Sequence, residues 1–328
     1  MKAFDYARAT QLSQALDRKA KPVAGGTNLL DLMKLEVETP ERLVDINRIG
    51  LDGISADETG LRIGALVRNA DCAADMRVRR DYPLLARAIL AGASPQLRNR
   101  ATTGGNLCQR TRCAYFMRLG TRCNKREPGS GCDALGGINR EHAIFGASDA
   151  CIATYPGDMA VALSALDAQV GIEGRDGARQ VPVRDFHRLP GEDPQQDNVL
   201  RPGEIITGVT LPEPVGGTQL YRKVRDRASY AFALVSIAAV IDLDEGRISR
   251  ADLAFGSVAH KPWHDPEVGQ VLLGQRPSDR VFAEAAEVLT RHARGQGQND
   301  FKIPLLRRSL IAVLREATGT GGHNVQNL

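Results

Sequence analysis

The stretch "KPVAGGTNLLDLMKLE", Lys21–Glu36, reads as a short strand, a turn on Gly25 and Gly26, and a helix for which Thr27 or Asn28 is the candidate cap. Glycine has no Cβ, so a backbone built of it can approach a ligand closely, and the amides that open a helix suit a phosphate group. Alone the pattern is weak, because a Gly-Gly turn before a helix is commonly structural. A second pair, Gly104 and Gly105 in "RATTGGNL", again has threonines and an asparagine beside it. Brought together, two such loops would enclose one extended phosphate-containing ligand. Neither is GxGxxG and neither is a Walker loop, so a simple nicotinamide or ATP site is not indicated.

Outward from these loops, "RLVDIN" and "LRIGALV" have the character of strands, while "NADCAADMRVRRD" and "PLLARAILAGAS" space their apolar residues as helices do. Cys72, within the first of these helices, reads as a small buried hydrophobe. After "ATTGGNL" the periodicity is lost until "DMAVALSALDAQV" restores a helix; a loop this long inside a compact protein is usually functional or disordered. "VGIEGRDGARQVPV" predicts a hairpin turning near Asp176 and Gly177, and "GEIITGVTLP" a strand that closes the region before "EPVGG". Strand-like runs fill "TQLYRKVRDRASYAFALVSIAAVIDL" and "ADLAFGSVAHKP", and helices follow from about residue 277, the pattern of an α+β unit.

A chain of 328 residues exceeds what one hydrophobic core usually serves, so two or three subdomains are expected. Its 43 basic and 39 acidic residues leave an excess too small to mark a nucleic-acid protein. No apolar run is long enough to span a membrane, and the first residues lack the apolar stretch of a signal peptide. Five of the six cysteines fall between Cys108 and Cys151. In a large chain with no visible secretory signal, clustered thiols more often bind metal or do redox chemistry than staple a fold.

Taken together, "VAGGTNLLDLMK", "ATTGGNL", "GDMAVALSALDA" and "YRKVRDRASYAFALVSIAAV", in that order, resemble the flavin-binding subunits of the molybdenum hydroxylases. That resemblance implies an α+β chain: a two-subdomain FAD-binding fold of the vanillyl-alcohol-oxidase type, then a C-terminal α+β domain with a small antiparallel sheet and helices. The implied boundaries are residues 1–57 and 58–215 for the two FAD subdomains, 216–317 for the C-terminal domain and 318–328 for a flexible tail. Val23, Ala24, Gly25, Gly26, Thr27, Asn28, Leu29 and Leu30, with Ala101, Thr102, Thr103, Gly104, Gly105 and Asn106, would wrap the cofactor. Asp158, Ile206 and Lys223 match further flavin-site positions. Read locally, Asp158 equally suits a helix cap and Lys223 a solvated strand face.

The insert at about 108–151 narrows the resemblance to the branches that carry a 4Fe-4S cluster, and its motifs are most similar to the periplasmic aldehyde oxidoreductase type. A cubane cluster needs four thiolates, and Cys113, Cys123, Cys132 and Cys151 provide them. The absence of a CxxC knuckle disfavours zinc, and disulfides are the other rival. Arg110, Arg112, Arg118, Arg122, Lys125 and Arg126 are candidate counter-charges to the cluster, or a solvated face on which a partner docks. Cys108 is a fifth thiol that the cluster does not require. The resemblance further implies a large molybdenum-cofactor subunit, a small subunit with two 2Fe-2S clusters, an external electron acceptor, and substrate chemistry on a partner rather than on this chain. Export to the periplasm would then depend on a signal carried by a partner; otherwise the chain is cytoplasmic. The alternatives are a stand-alone flavoprotein oxidase, a flavin subunit like that of hydroxybenzoyl-CoA reductase, and a zinc-stabilised module that binds nucleic acid.

Overall fold

A computed structural model describes residues 1–320. The tail reading falls largely on residues 321–328, which lie outside the described residues. Among the described residues three sheets follow one another in chain order. The first is parallel and ordered β1-β3-β2, from Asp5–Arg8 (β1), Lys21–Val23 (β2) and Arg42–Asp45 (β3). The second comprises Ile54–Asp57 (β4), Gly60–Gly64 (β5), Gln169–Gly174 (β6), Gly177–Pro182 (β7) and Ile205–Leu211 (β8), antiparallel throughout in the order β4-β5-β8-β6-β7. The hairpin expected near Asp176 joins β6 to β7, with Gly174 opposite Gly177. The third sheet, β11-β10-β9, uses Thr218–Val224 (β9), Val235–Asp244 (β10) and Arg247–Gly256 (β11).

The apolar run of β10 is continuous because both of its faces are buried. Ile237, Ala239 and Ile241 pack with the helices Asp279–Thr290 and Lys302–Ala317, whereas Ala238 and Val240 join the core of the second sheet. Those helices begin earlier than the sequence suggests, with Pro266–Leu272, where Asp265 caps and Pro266 opens the first turn. The single helix read in "NADCAADMRVRRD" is two, Asn69–Ala74 and Met76–Asp81. Asp75 leaves helical geometry between them and accepts from the Arg77 amide as the cap of the second. Cys72 is buried in this core. No helix among the described residues is long and apolar enough to cross a membrane.

The insert has little regular structure, one turn of helix at Ala114–Met117, because its backbone is held by side chains and by other parts of the fold. Arg126 donates to the carbonyls of Tyr115, Phe116 and Thr121. Its far end is sewn to the C-terminal domain: Ile144 and Phe145 donate to the Val258 carbonyl, and Asn299 donates to the carbonyls of His142 and Ala143.

Lys302 completes that seam, its fully buried ammonium donating to the carbonyls of Glu141, His142 and Ser257 at 2.8–3.0 Å. Burial, only partly countered by Glu141, pulls it from 10.5 down to about 7. Between those values the unfolded chain binds a proton that the folded chain does not, so stability arising at this site rises with pH across that window. The unfolding free energy of the wild type relative to Lys302→Met is therefore expected to climb by up to about 1.4 kcal/mol per pH unit from about pH 7 to 9. A difference that stays flat across that range in denaturant titrations would mean that the amine does not titrate in the folded chain.

Candidate functional site

The two glycine loops meet. A Cβ on Gly25 would lie 2.0 Å from the Arg100 carbonyl oxygen, so the first loop lies directly on the backbone that leads into the second. Gly26 adopts φ +75°, the left-handed region that glycine tolerates at no steric cost. Asn28 stands at the N-cap position of the helix Leu29–Lys34 but makes no side-chain cap bond. Its Oδ1 instead accepts from the Arg110 amide at 2.8 Å, which ties the first loop to the residue three past the second.

Beneath the joined loops runs a cleft of about 540 Å³. Val23, Ala24, Gly25, Gly26, Thr27, Asn28 and Leu29 line it from the first loop, Thr102, Gly104 and Gly105 from the second, and Ile206 from β8. The other loop residues named from the sequence lie outside its lining. Leu30 packs beneath Gly26, Thr103 donates to the Val67 carbonyl, Ala101 accepts from the Asn69 amide, and the Asn106 carbonyl accepts from Tyr155 and Gln109. Gly25→Ala forces two backbone segments apart and is expected to cost about 1–3 kcal/mol, read as a fall in bound flavin per chain and in melting temperature. Retention of full flavin would show that the loops need not touch.

The opposite wall went unrecognised in the sequence. It is formed by residues 195–198 and 200–205, and its central group is Asp197. Asp197 accepts from Arg110 Nε at 2.7 Å and from Lys125 Nζ at 2.5 Å, and Arg110 also reaches Glu38 at 2.6 Å. Burial raises the Asp197 carboxyl, but Lys125 and Arg110 more than offset that and hold it below the usual carboxylate range. In "GEDPQQDNVL" nothing local separates this aspartate from solvated ones, so only the three-dimensional pairing identifies it.

Asp158 and Lys223 do not line the cleft; they pair with each other at 2.8 Å, almost wholly buried. Tyr221 donates to the other Asp158 oxygen at 2.7 Å, and Lys223 also donates to the Ala91 carbonyl. The solvated reading of Lys223 is therefore overturned. Gly157, not Asp158, holds the cap position of the helix Asp158–Ala165.

Cys113, Cys123, Cys132 and Cys151, far apart in sequence, line one small pocket together with Lys125 and Phe116. Cys108 is not among them: it ends the helix Thr103–Leu107 and lines the cleft. All six cysteines are free thiols. Burial pushes Cys113 up to about 11 and Cys151 up to about 12, so a metal would have to displace protons to bind. The two cavities share a wall, since Leu32 lines the cleft and packs with Phe116 and Cys123.

The arginines do not all serve as counter-charge. Arg110 is committed to Asp197 and Glu38, the exposed Arg122 pairs with Asp133, and Arg126 is spent on carbonyls. Of the basic side chains, Arg122 and Lys125 line the thiol pocket, and Lys125 opposes the upward shift of Cys151.

Comparison with known proteins places this geometry in a lineage. Residues 1–214 match the family described as the FAD binding domain in molybdopterin dehydrogenase, and residues 219–317 the CO dehydrogenase flavoprotein C-terminal domain. The chain belongs to the FAD-binding subunits of the molybdenum hydroxylases. It is 54% identical to the aldehyde oxidoreductase FAD-binding subunit PaoB of Escherichia coli, over 97% of this chain and 99% of that one. It is 26% identical to the carbon monoxide dehydrogenase medium chain of Afipia carboxidovorans, over 94% and 96% of the two chains. Among solved structures, carbon monoxide dehydrogenase from Hydrogenophaga pseudoflava shares the fold with a TM-score of 0.76 at 24% identity, covering 97% and 98%. Quinoline 2-oxidoreductase from Pseudomonas putida 86 superposes with a TM-score of 0.74 at 25% identity, covering 98% and 99%.

The residues of this FAD-binding subunit fit the cofactor. The cleft is lined by backbone that only glycine allows so close: a Cβ on Gly104 would press to 3.1 Å from Ala65 and one on Gly105 would lie 2.8 Å from Thr102 Oγ1. Val23–Leu29 with Thr102, Gly104 and Gly105 would hold the diphosphate and its sugar chain, and Ile206 offers an apolar face.

Proposed function

We propose that this chain is the FAD- and 4Fe-4S-containing electron-transfer subunit of a heterotrimeric, molybdenum-dependent aldehyde oxidoreductase. In this reading it takes electrons from the 2Fe-2S clusters of a small partner and delivers them to an external acceptor, while a large molybdenum-cofactor subunit oxidises the aldehyde. The observation that carries the finer part is the quartet Cys113, Cys123, Cys132 and Cys151 around one pocket that shares a wall with the flavin cleft. Four thiols around a common pocket match in number the four thiolates that a cubane cluster takes.

Bound FAD would supply the interconversion of two-electron and one-electron transfer. The chain's own contribution is to fix distances. Asn28 clamps the first glycine loop to Arg110, Arg110 is locked to Asp197, and Asp197 to Lys125 at the thiol pocket. Cleft and thiol pocket are thus held as one body, so that electrons leaving one have a short route to the other. A near-complete match to a relative named as an FAD-binding subunit favours a subunit role over a stand-alone oxidase. Folded export with a signal-bearing partner belongs to the same reading.

Iron, sulfide and flavin analysis of the chain purified without oxygen tests this, with one flavin and a cubane's four iron atoms expected per chain. Flavin without iron removes the cluster; zinc in place of iron favours the single-ion alternative.

A further inference from the structure

His142 lies between Cys132 and Cys151 in the insert, and its Nε2 stands 3.2 Å from the Cys113 sulfur. Its placement is over-determined. The His142 amide donates to Asn139, its carbonyl accepts from both Asn299 and Lys302, and the ring is almost wholly buried. The other donors to these sulfurs are backbone amides, of Tyr115 and Phe116 at Cys113 and of Ala153 at Cys151.

The geometry of the ring decides which nitrogen serves the sulfur, since Nε2 is the one that faces Cys113. Nδ1 has no partner and is sealed from solvent. A proton on Nδ1 would bury an unpaired donor and turn a lone pair toward the sulfur. A proton on Nε2 makes the one polar contact within reach, so that tautomer is favoured.

We propose that His142 is a positioning and tuning residue which donates a hydrogen bond from Nε2 to the Cys113 sulfur and raises the reduction potential of the cluster held by the four cysteines. The inference rests on the cluster reading above. Reduction adds negative charge, and a donor aimed at a ligand sulfur stabilises the more negative state more than the less negative one.

The test is EPR-monitored redox titration of the full chain and its variants in the assembled complex. In His142→Met, which keeps bulk but has no donor, the reduction equilibrium is expected to shift about tenfold against reduction, ~59 mV for a one-electron couple. His142→Gln, which retains an N–H in a comparable position, is expected to keep the wild-type potential. Wild type labelled with ¹⁵N-histidine should show a weak nitrogen coupling, that of a hydrogen-bonded imidazole, in pulsed EPR; this measurement needs no variant to fold.

An unchanged potential in His142→Met at full iron content overturns the inference, as does an equal fall in both variants. Loss of one iron in both variants would make His142 a ligand, and absence of any nitrogen coupling in the wild type removes the contact; either result also overturns it. A wild-type chain that holds no iron is a different failure, that of the cluster reading itself.

Discussion

If the proposed cluster is present, replacing Cys113, Cys123, Cys132 or Cys151 by alanine, one at a time, is expected to abolish iron binding, while Cys108→Ala and Cys72→Ala keep the wild-type complement. A cubane held by four protein thiolates that loses one is left with an open, labile corner. The four pocket thiols share a single cavity, whereas Cys108 opens on the flavin cleft and Cys72 lies in the core of the second sheet. Flavin content is expected to survive in all six variants, because none of the four pocket cysteines lines the cleft and Cys108 loses only its sulfur there. The measurement is iron and flavin per chain, read with the visible spectrum. If Cys108→Ala lost iron and Cys113→Ala did not, the ligand set would be mis-assigned by five residues in the chain, the distance between these two thiols.

Asp197→Leu is expected to be the most destabilising single change outside the hydrophobic cores, at about 3–5 kcal/mol. The carboxylate is the shared partner of Lys125, whose side chain is wholly buried, and of Arg110, which is largely so. Removing it leaves a buried ammonium with no counter-charge, and that uncompensated charge, more than the lost attraction, sets the cost. Arg110 retains Glu38, so the damage falls mainly on Lys125. The double variant Lys125→Met with Asp197→Leu should therefore recover a substantial part of the loss, since exchanging both members of a buried ion pair for apolar groups is often near neutral. Thermal unfolding of the two singles and the double decides this. Additive losses would mean that the pair is not coupled. Because Asp197 also lines the cleft, flavin is expected to be held less tightly in Asp197→Leu.

Most of the fold was legible in the sequence because its signals are local. Glycine turns, the period-2 pattern of β6, and the helix Asp158–Ala165 depend on neighbours within a few residues. The same holds for the two glycine loops, whose conformational permissiveness is written in composition. What neighbours could not show is where a side chain chose a distant partner over a local one. Asn28 gives its oxygen to Arg110 rather than to its own helix, and Lys223 is buried against Asp158 rather than solvated.

The sequence by itself determined that five thiols crowd one insert that directly follows the second glycine loop and that the chain is built of α+β units. Only the tertiary structure decided which four share a pocket, because cysteines in an aperiodic loop carry no register from which distance can be inferred. It also decided that Asp197 joins cleft to thiol pocket and that His142 touches Cys113, since both contacts span long separations along the chain. An ion pair or a hydrogen bond leaves no periodic trace in sequence. Burial alone gives such a contact its strength, and burial is a property of the assembled fold.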